Sequence, residues 1–213
     1  MKSTKNPTEK ESPASPGGRE TRKLETRARI LEAAQRVFGR EGIAKATSSA
    51  IAAEAGVAHG SVFARFGSLE ALLIAAIEDF GESTARRIHE TVAAGAGTRE
   101  VLEAHLEAIR EAEDFYARLA SEGGALPSAA RDSLVLMQSA IAFHLAPALE
   151  ADRRSGLIKD LSQSLAFNAW LGLLHYYLAN RDLFAPGASV IETRGPQLVD
   201  FYLDLVSLDR RNA

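Results

Sequence analysis

The ten residues between Gly56 and Gly67 read Val57-Ala58-His59-Gly60-Ser61-Val62-Phe63-Ala64-Arg65-Phe66. Their polar members suit one kind of chemistry, the reading of nucleic acid. An imidazole such as His59 can address a purine edge, a serine can bond to any base, and an arginine such as Arg65 can hold a phosphate. Gly60 suits close approach of a backbone to DNA. An ordinary helical corner would present the same spacing, so the residues alone leave both readings open.

Catalytic and metal chemistry find less support. There is no cysteine, so thiolate metal sites and disulfides are excluded. Gly17-Gly18 and Gly123-Gly124 lack the lysine and helix of a phosphate loop. His89, His105, His144 and His175 form no spaced metal pair. Glu103, His105 and Glu107 read as a solvated helix face, or at best a weak surface metal site, and Glu111, Glu113 and Asp114 as a solvated charge run. The chain is therefore expected not to be an enzyme and to need neither cofactor nor metal.

Helices must hold the polar residues in place. Leu24, Ala28, Leu31, Ala34, Val37 and Phe38 recur at helical spacing, so a first helix is expected from about Thr21 to Gly42. A short helix capped by Thr47 packs through Ile51, Ala52 and Ala55 and is closed by Gly56. A three-residue turn leads to a second short helix ending near Phe66, the layout of a helix-turn-helix. Ser68 caps a long helix ending near Ala94, and Thr98 caps another reaching about Ala120. After a loop over 121–127, a helix runs from Ser128 to Arg154, kinked or divided by Pro147. Asp160 and Gln163 resemble a capping box for a helix reaching Asn180. Pro196 opens the last one. No strand is expected: the class is all-α. Residues 1–20 are read as a disordered basic tail, 21–67 as the DNA-binding domain and 68–213 as a larger helical domain.

The formal net charge is −3, yet residues 1–67 hold twelve Lys and Arg against seven Asp and Glu. A basic first third on an acidic body is what one phosphate-facing end requires. No apolar stretch approaches the roughly 20 residues of a membrane span, and no secretory signal is evident. No membrane association and a cytoplasmic location are the expectations.

From Thr26-Arg27 onward the sequence resembles the TetR family of transcription regulators. The run passes Ile30-Leu31, Ala33-Ala34, Phe38, Gly42, Thr47, Ile51-Ala52, Ala55-Gly56-Val57, Gly60, Phe63 and Phe66 to Leu72. The resemblance implies that Lys45, Thr47 and Ser48 lie at a phosphate strand or groove edge, that Ala58, His59, Gly60 and Ser61 read bases, and that Phe63 and Arg65 hold the backbone. Three positions depart from it. Ala58 stands where Ser or Thr is common, Phe63 where Tyr bonds a phosphate, and Leu69 where Lys is usual.

Such a protein pairs to span two half-sites about 34–36 Å apart. The helix over 161–178 is apolar around most of its circumference, which fits burial on two sides. The resemblance implies a homodimer on double-stranded DNA, joined through Leu165, Ala169, Gly172, Leu173, Tyr176, Leu198, Phe201, Tyr202 and Leu205. It also implies a small-molecule effector within the body, for which Phe115, Tyr116, Met137, Phe143, His144, Trp170 and His175 are candidate lining residues. Repression is the family's common mode.

Overall fold

The structure is a computed structural model and describes residues 16–208. The first fifteen residues of the expected tail lie outside the described residues. Helix α1 spans Pro16–Glu41, so helix begins five residues before Thr21. Pro16 suits this start, because the first turn has no use for its missing N–H.

The two short helices are α2, Ser48–Ala55, and α3, His59–Phe66. The Thr47 hydroxyl accepts from Ala50 N at 3.1 Å, an N-cap. Gly56 closes α2 at φ 63°, ψ 39°. With the chain in this left-handed conformation, Val57 N donates back to Ala52 O at 3.0 Å. Ala58 precedes α3 without a side-chain cap, as its methyl group dictates. Ile51 and Val62 are buried, and Val57 and Phe66 pack against the same core. These three helices form the head.

The body starts with α4, Leu69–Thr91, whose cap Ser68 accepts from Ala71 N. The single helix expected after Thr98 is two, α5 (Thr98–Ile109) and α6 (Glu113–Glu122), joined by a 3-10 turn at Arg110–Ala112. Spacing hid the break because each half keeps its own apolar face. Helix α6 also runs into the expected loop, and a further 3-10 turn covers Gly123–Ala125.

Helix α7, Ser128–Arg154, runs unbroken through Pro147. That proline is exposed, so water can take the carbonyl it leaves without a donor. By length and composition α7 is apolar enough to cross a membrane. That corrects the expectation that no stretch approaches such a length. In this fold α7 packs on α4, α5 and α8 (Gln163–Ala179).

Asp160 does not cap α8. It points to Arg153 at 3.6 Å, and the segment ahead of α8 pairs with the chain's end instead: Lys159 N donates to Val206 O and Leu208 N to Leu157 O. A short helix α9, Arg181–Phe184, precedes α10, Val190–Val206. The last helix thus starts six residues before Pro196. Ser189 caps it by accepting from Glu192 N at 3.0 Å, a stronger start signal than an internal proline. Apart from one isolated bridge, Ile158 to Ser207, the described residues are helix, turn and loop. One continuous core joins Ile30, Val37 and Ile51 of the head to Leu102, Trp170 and Tyr202 of the body.

Candidate nucleic-acid interface

The outward row of α3 stands on the buried corner beneath it. His59, Gly60, Phe63 and Arg65 are exposed, as are Lys45, Thr47 and Ala58, while Ser48 and Ser61 are half-buried. Ser48 Oγ lies 3.0 Å from His59 Nε2, and the Phe63 ring meets the imidazole edge-on at 5.1 Å. The imidazole is thereby held from α2 on one side and from the next turn of α3 on the other. A β-carbon added at Gly60 would meet nothing within 4 Å, so the protein's own packing does not require glycine there.

Arg65 is partly engaged: its Nη1 donates to Lys23 O at 3.0 Å. The other guanidinium N–H groups remain available, because arginine carries five. Arg27 lies over the Phe66 ring at 5.3 Å, which fastens α1 to the end of α3. Arg36 and Arg40 both bind Glu54 of α2, at 2.9 and 3.1 Å. Charges of α1 thus serve the head's own rigidity as well as its basic surface.

The candidate effector residues do not form one group. Phe115, Tyr116, Met137 and Trp170 are buried, His144 and His175 half-buried, and Phe143 is 76% exposed on the outside of α7. His144 stands beside His89, ring centroids 6.0 Å apart, away from the Trp170 group. Met137 packs against Gly81, where an added β-carbon would come within 2.7 Å of its side chain.

Tyr116, Trp170 and His175 do meet, and with them His105, which is 1% exposed. Trp170 Nε1 donates to His105 Nδ1 at 3.1 Å. His175 Nε2 and the Tyr116 hydroxyl are 2.8 Å apart. Burial lowers His105 to about 3 and His175 to about 4, and it raises Tyr116 above the usual phenol range. With Nδ1 accepting, neutral His105 carries its proton on Nε2, and that atom is buried with no partner among the described residues. His105 is therefore no part of a solvated face with Glu103 and Glu107. The signal was present in the sequence: Val101, Leu102, His105, Leu106 and Ile109 share one helical face.

Glu113 is a second residue missed as a member of a solvated run. It is buried, and its carboxylate accepts from Val190 N at 2.7 Å, from Ile191 N at 3.3 Å and from the Ser189 hydroxyl. It closes the N-terminus of α10, where the helix dipole favours negative charge. Glu122 of α6 does the same for the head's first loop, accepting from Ile43 N at 3.0 Å and Ala44 N at 3.4 Å. Arg118 of α6 donates to Gly39 O at 3.1 Å. An aromatic series also crosses between the two parts: Phe38 of α1 stacks on Phe115, which meets Phe80, which meets Tyr116.

Of the nine dimer candidates, Leu165, Ala169, Gly172 and Tyr176 of α8 and Phe201 and Leu205 of α10 are exposed, and Leu173 is half-buried. Leu198 and Tyr202 are inside the protomer, with the Tyr202 hydroxyl donating to Ala166 O at 2.9 Å. They sit on the inner face of α10, so they hold the core rather than a partner.

Residues 30–76 match the family model described as bacterial regulatory proteins, tetR family. A 105-residue stretch is 33% identical to YerO, an uncharacterised HTH-type transcriptional regulator of Bacillus subtilis. It covers 46% of this chain and 36% of YerO, so the match spans about a third of that relative's length. The fold is similar to PfmR, a TetR family regulator from Thermus thermophilus (TM-score 0.66, 20% identity, 85% of this chain and 99% of that one). It is also similar to FadR from Bacillus subtilis in complex with stearoyl-CoA (TM-score 0.66, 18% identity, 83% and 97%). A TetR-family regulator from Rhodococcus sp. has TM-score 0.68 and 22% identity, over 87% and 100% of the two chains. Residues 30–76 thus carry the family's own domain, and the described residues share the all-helical fold of TetR-family structures.

Proposed function

We propose that this chain is a sequence-specific DNA-binding transcription regulator, a ligand-responsive repressor acting as a homodimer on a palindromic operator. The observation that carries this is the outward row of α3, with His59 oriented from two sides above the buried Val62 and Ile51. His59 and Ser61 read base edges, Gly60 lets the DNA backbone approach, and Arg65, Lys45 and Thr47 fasten phosphates. Phe63 supplies apolar contact and no phosphate bond.

Dimerisation uses the free face of α8 and α10, where Leu165, Ala169, Gly172, Tyr176, Phe201 and Leu205 lie exposed. Gly172 has open space where a β-carbon would stand, which admits a close helix crossing. The His105, Tyr116, Trp170 and His175 cluster is the polar centre of the effector region. The stearoyl-CoA complex of the Bacillus subtilis relative supports a small-molecule effector for this body type.

The test is a salt-series gel shift with the DNA immediately upstream of the chain's own gene. A discrete complex that survives competitor DNA and weakens with salt supports the regulator. Diffuse binding to every duplex, with no sequence preference from a randomised pool, would instead favour a helical small-molecule-binding protein that has lost its operator.

A further inference from the structure

A cleft of about 820 Å3 opens between head and body, walled by α1, α4 and the α5–α6 junction. This is within the size range of ligand sites, about 300–1,000 Å3. None of the seven candidate effector residues lines it. Its α4 wall presents Asp79, Phe80, Ser83, Thr84 and Arg87, which share one helical face, and its α1 wall presents Glu32 and Gln35.

The charges of the cleft do not cancel uniformly. Arg36 and Arg40 are bound to Glu54, and Arg87 to Glu111. Asp114 is bound to Arg181. Asp79 is half-buried, and its carboxylate accepts from a neutral group, Gln35 Nε2, at 3.0 Å. Arg27 acts on it only from a distance, its guanidinium lying over Phe66. Burial raises the Asp79 carboxyl above the usual range, as expected where no cation is in contact. Arg86 also lines the cleft, exposed and two turns further along α4, about 10 Å of helix rise from Asp79.

A second, independent feature is Thr84. It is 1% exposed and, among the described residues, its hydroxyl has no partner. A mid-helix threonine ordinarily bonds back to the carbonyl four residues earlier, as Thr26, Thr91 and Thr193 do here at 2.6–2.7 Å. Thr84 departs from that habit and lines the cleft. A half-buried carboxylate with no described cation against it, and an idle hydroxyl buried in the same wall, together define a complementary ligand.

We propose that this cleft binds a small organic cation, an amine whose ammonium group sits against Asp79 and which carries a second hydrogen-bonding group for Thr84. Glu32 adds attraction from α1. Because the walls belong to different parts of the molecule, the bound amine bridges α1 of the head to α4 of the body and stiffens their junction.

The experiment is titration calorimetry of the full chain, without DNA, against putrescine, spermidine and tyramine at up to millimolar concentration. The neutral controls are 1,4-butanediol and 4-ethylphenol. At least one amine is expected to bind at one site per chain, with both controls silent. Asp79→Asn, which can still accept from Gln35, should weaken that binding roughly tenfold, and Thr84→Val should weaken it several-fold. Thr84→Val removes only an unpartnered hydroxyl, so it keeps the test usable if Asp79→Asn folds poorly. Silence of all three amines, equal binding of the neutral controls, or folded variants that bind as the parent does would each overturn the proposal. None of these outcomes bears on operator binding, which is measured separately.

Discussion

Ser48 Oγ and His59 Nε2 are 3.0 Å apart, so a residue of α2 orients the side chain proposed to read a base on α3. Ser48→Ala should therefore mimic His59→Ala in kind. His59→Ala is expected to cost about 1–3 kcal/mol of discrimination at one base position, and Ser48→Ala a smaller loss at that same position. The double variant should lose no more than His59→Ala alone, since both act through one contact. Operator-variant binding curves check this. Losses that simply add, or that fall on different base positions, contradict the arrangement.

Glu113 and α10 make the strongest stability prediction. The carboxylate serves two backbone N–H groups and a hydroxyl from a buried position. Glu113→Ala leaves those donors buried and unserved, a loss of about 3 kcal/mol. Glu113→Gln keeps an acceptor and should lose less than half as much. Denaturant midpoints measure both. A cost under about 1 kcal/mol for the alanine variant would show that water replaces the carboxylate.

His105 and His175 set a pH dependence. Their folded values, about 3 and about 4, lie below the ordinary 6.5. Between those limits the unfolded chain binds more protons than the folded one. Stability is therefore full above about pH 6.5 and falls as the pH drops through the window. At pH 5 each histidine should have cost about 2 kcal/mol. Asn in place of His105 retains an acceptor for Trp170 Nε1 and cannot titrate, so His105→Asn should flatten the decline between pH 6.5 and 5. Carboxylates such as Glu54 and Glu150, held below their usual range by arginine, act only at lower pH. Urea unfolding at a series of pH values tests this, and an unchanged slope in the variant would count against it.

The free face of α8 predicts the assembly. Leu165 is 68% and Tyr176 59% exposed in the protomer, so charges placed there cost the protomer little. The Leu165→Glu, Tyr176→Glu protein should keep its helicity by circular dichroism and sediment near 23 kDa, the mass of one chain. The parent should sediment at twice that. A parent that already sediments as a single chain at micromolar concentration removes the proposed interface.

Much of the head was legible from order alone. The Thr47 cap, the left-handed Gly56, the Ser68 cap and the apolar spacing of Ile51 and Val62 depend on neighbours within a turn or two. Such local rules are written in consecutive residues. Gly60 and Phe63 lie off the Val62 face of α3 and so had to be exposed, whereas His59, three positions before Val62, is exposed as the first residue of the helix. The same local logic put the body in helices but misplaced their ends. A serine cap at Ser189 and a proline at Pro196 compete, and the start at Ser189 is reinforced by Glu113, distant in the chain.

Tertiary structure alone decided that Glu113 is buried. It reads as part of a solvated charge run in the sequence and becomes buried only where the start of α10 meets it. The same holds for Leu198 and Tyr202, which share a helix with the exposed Phe201 and Leu205 but face the core. Helical periodicity says which residues share a face. It does not say which neighbour that face meets, because contacts between α6 and α10, or α5 and α8, join residues some 65 to 78 positions apart. The chemistry of the reading head is thus a property of sequence, while the buried polar cluster and the cleft at Asp79 belong to the packing of helices that only the folded chain brings together.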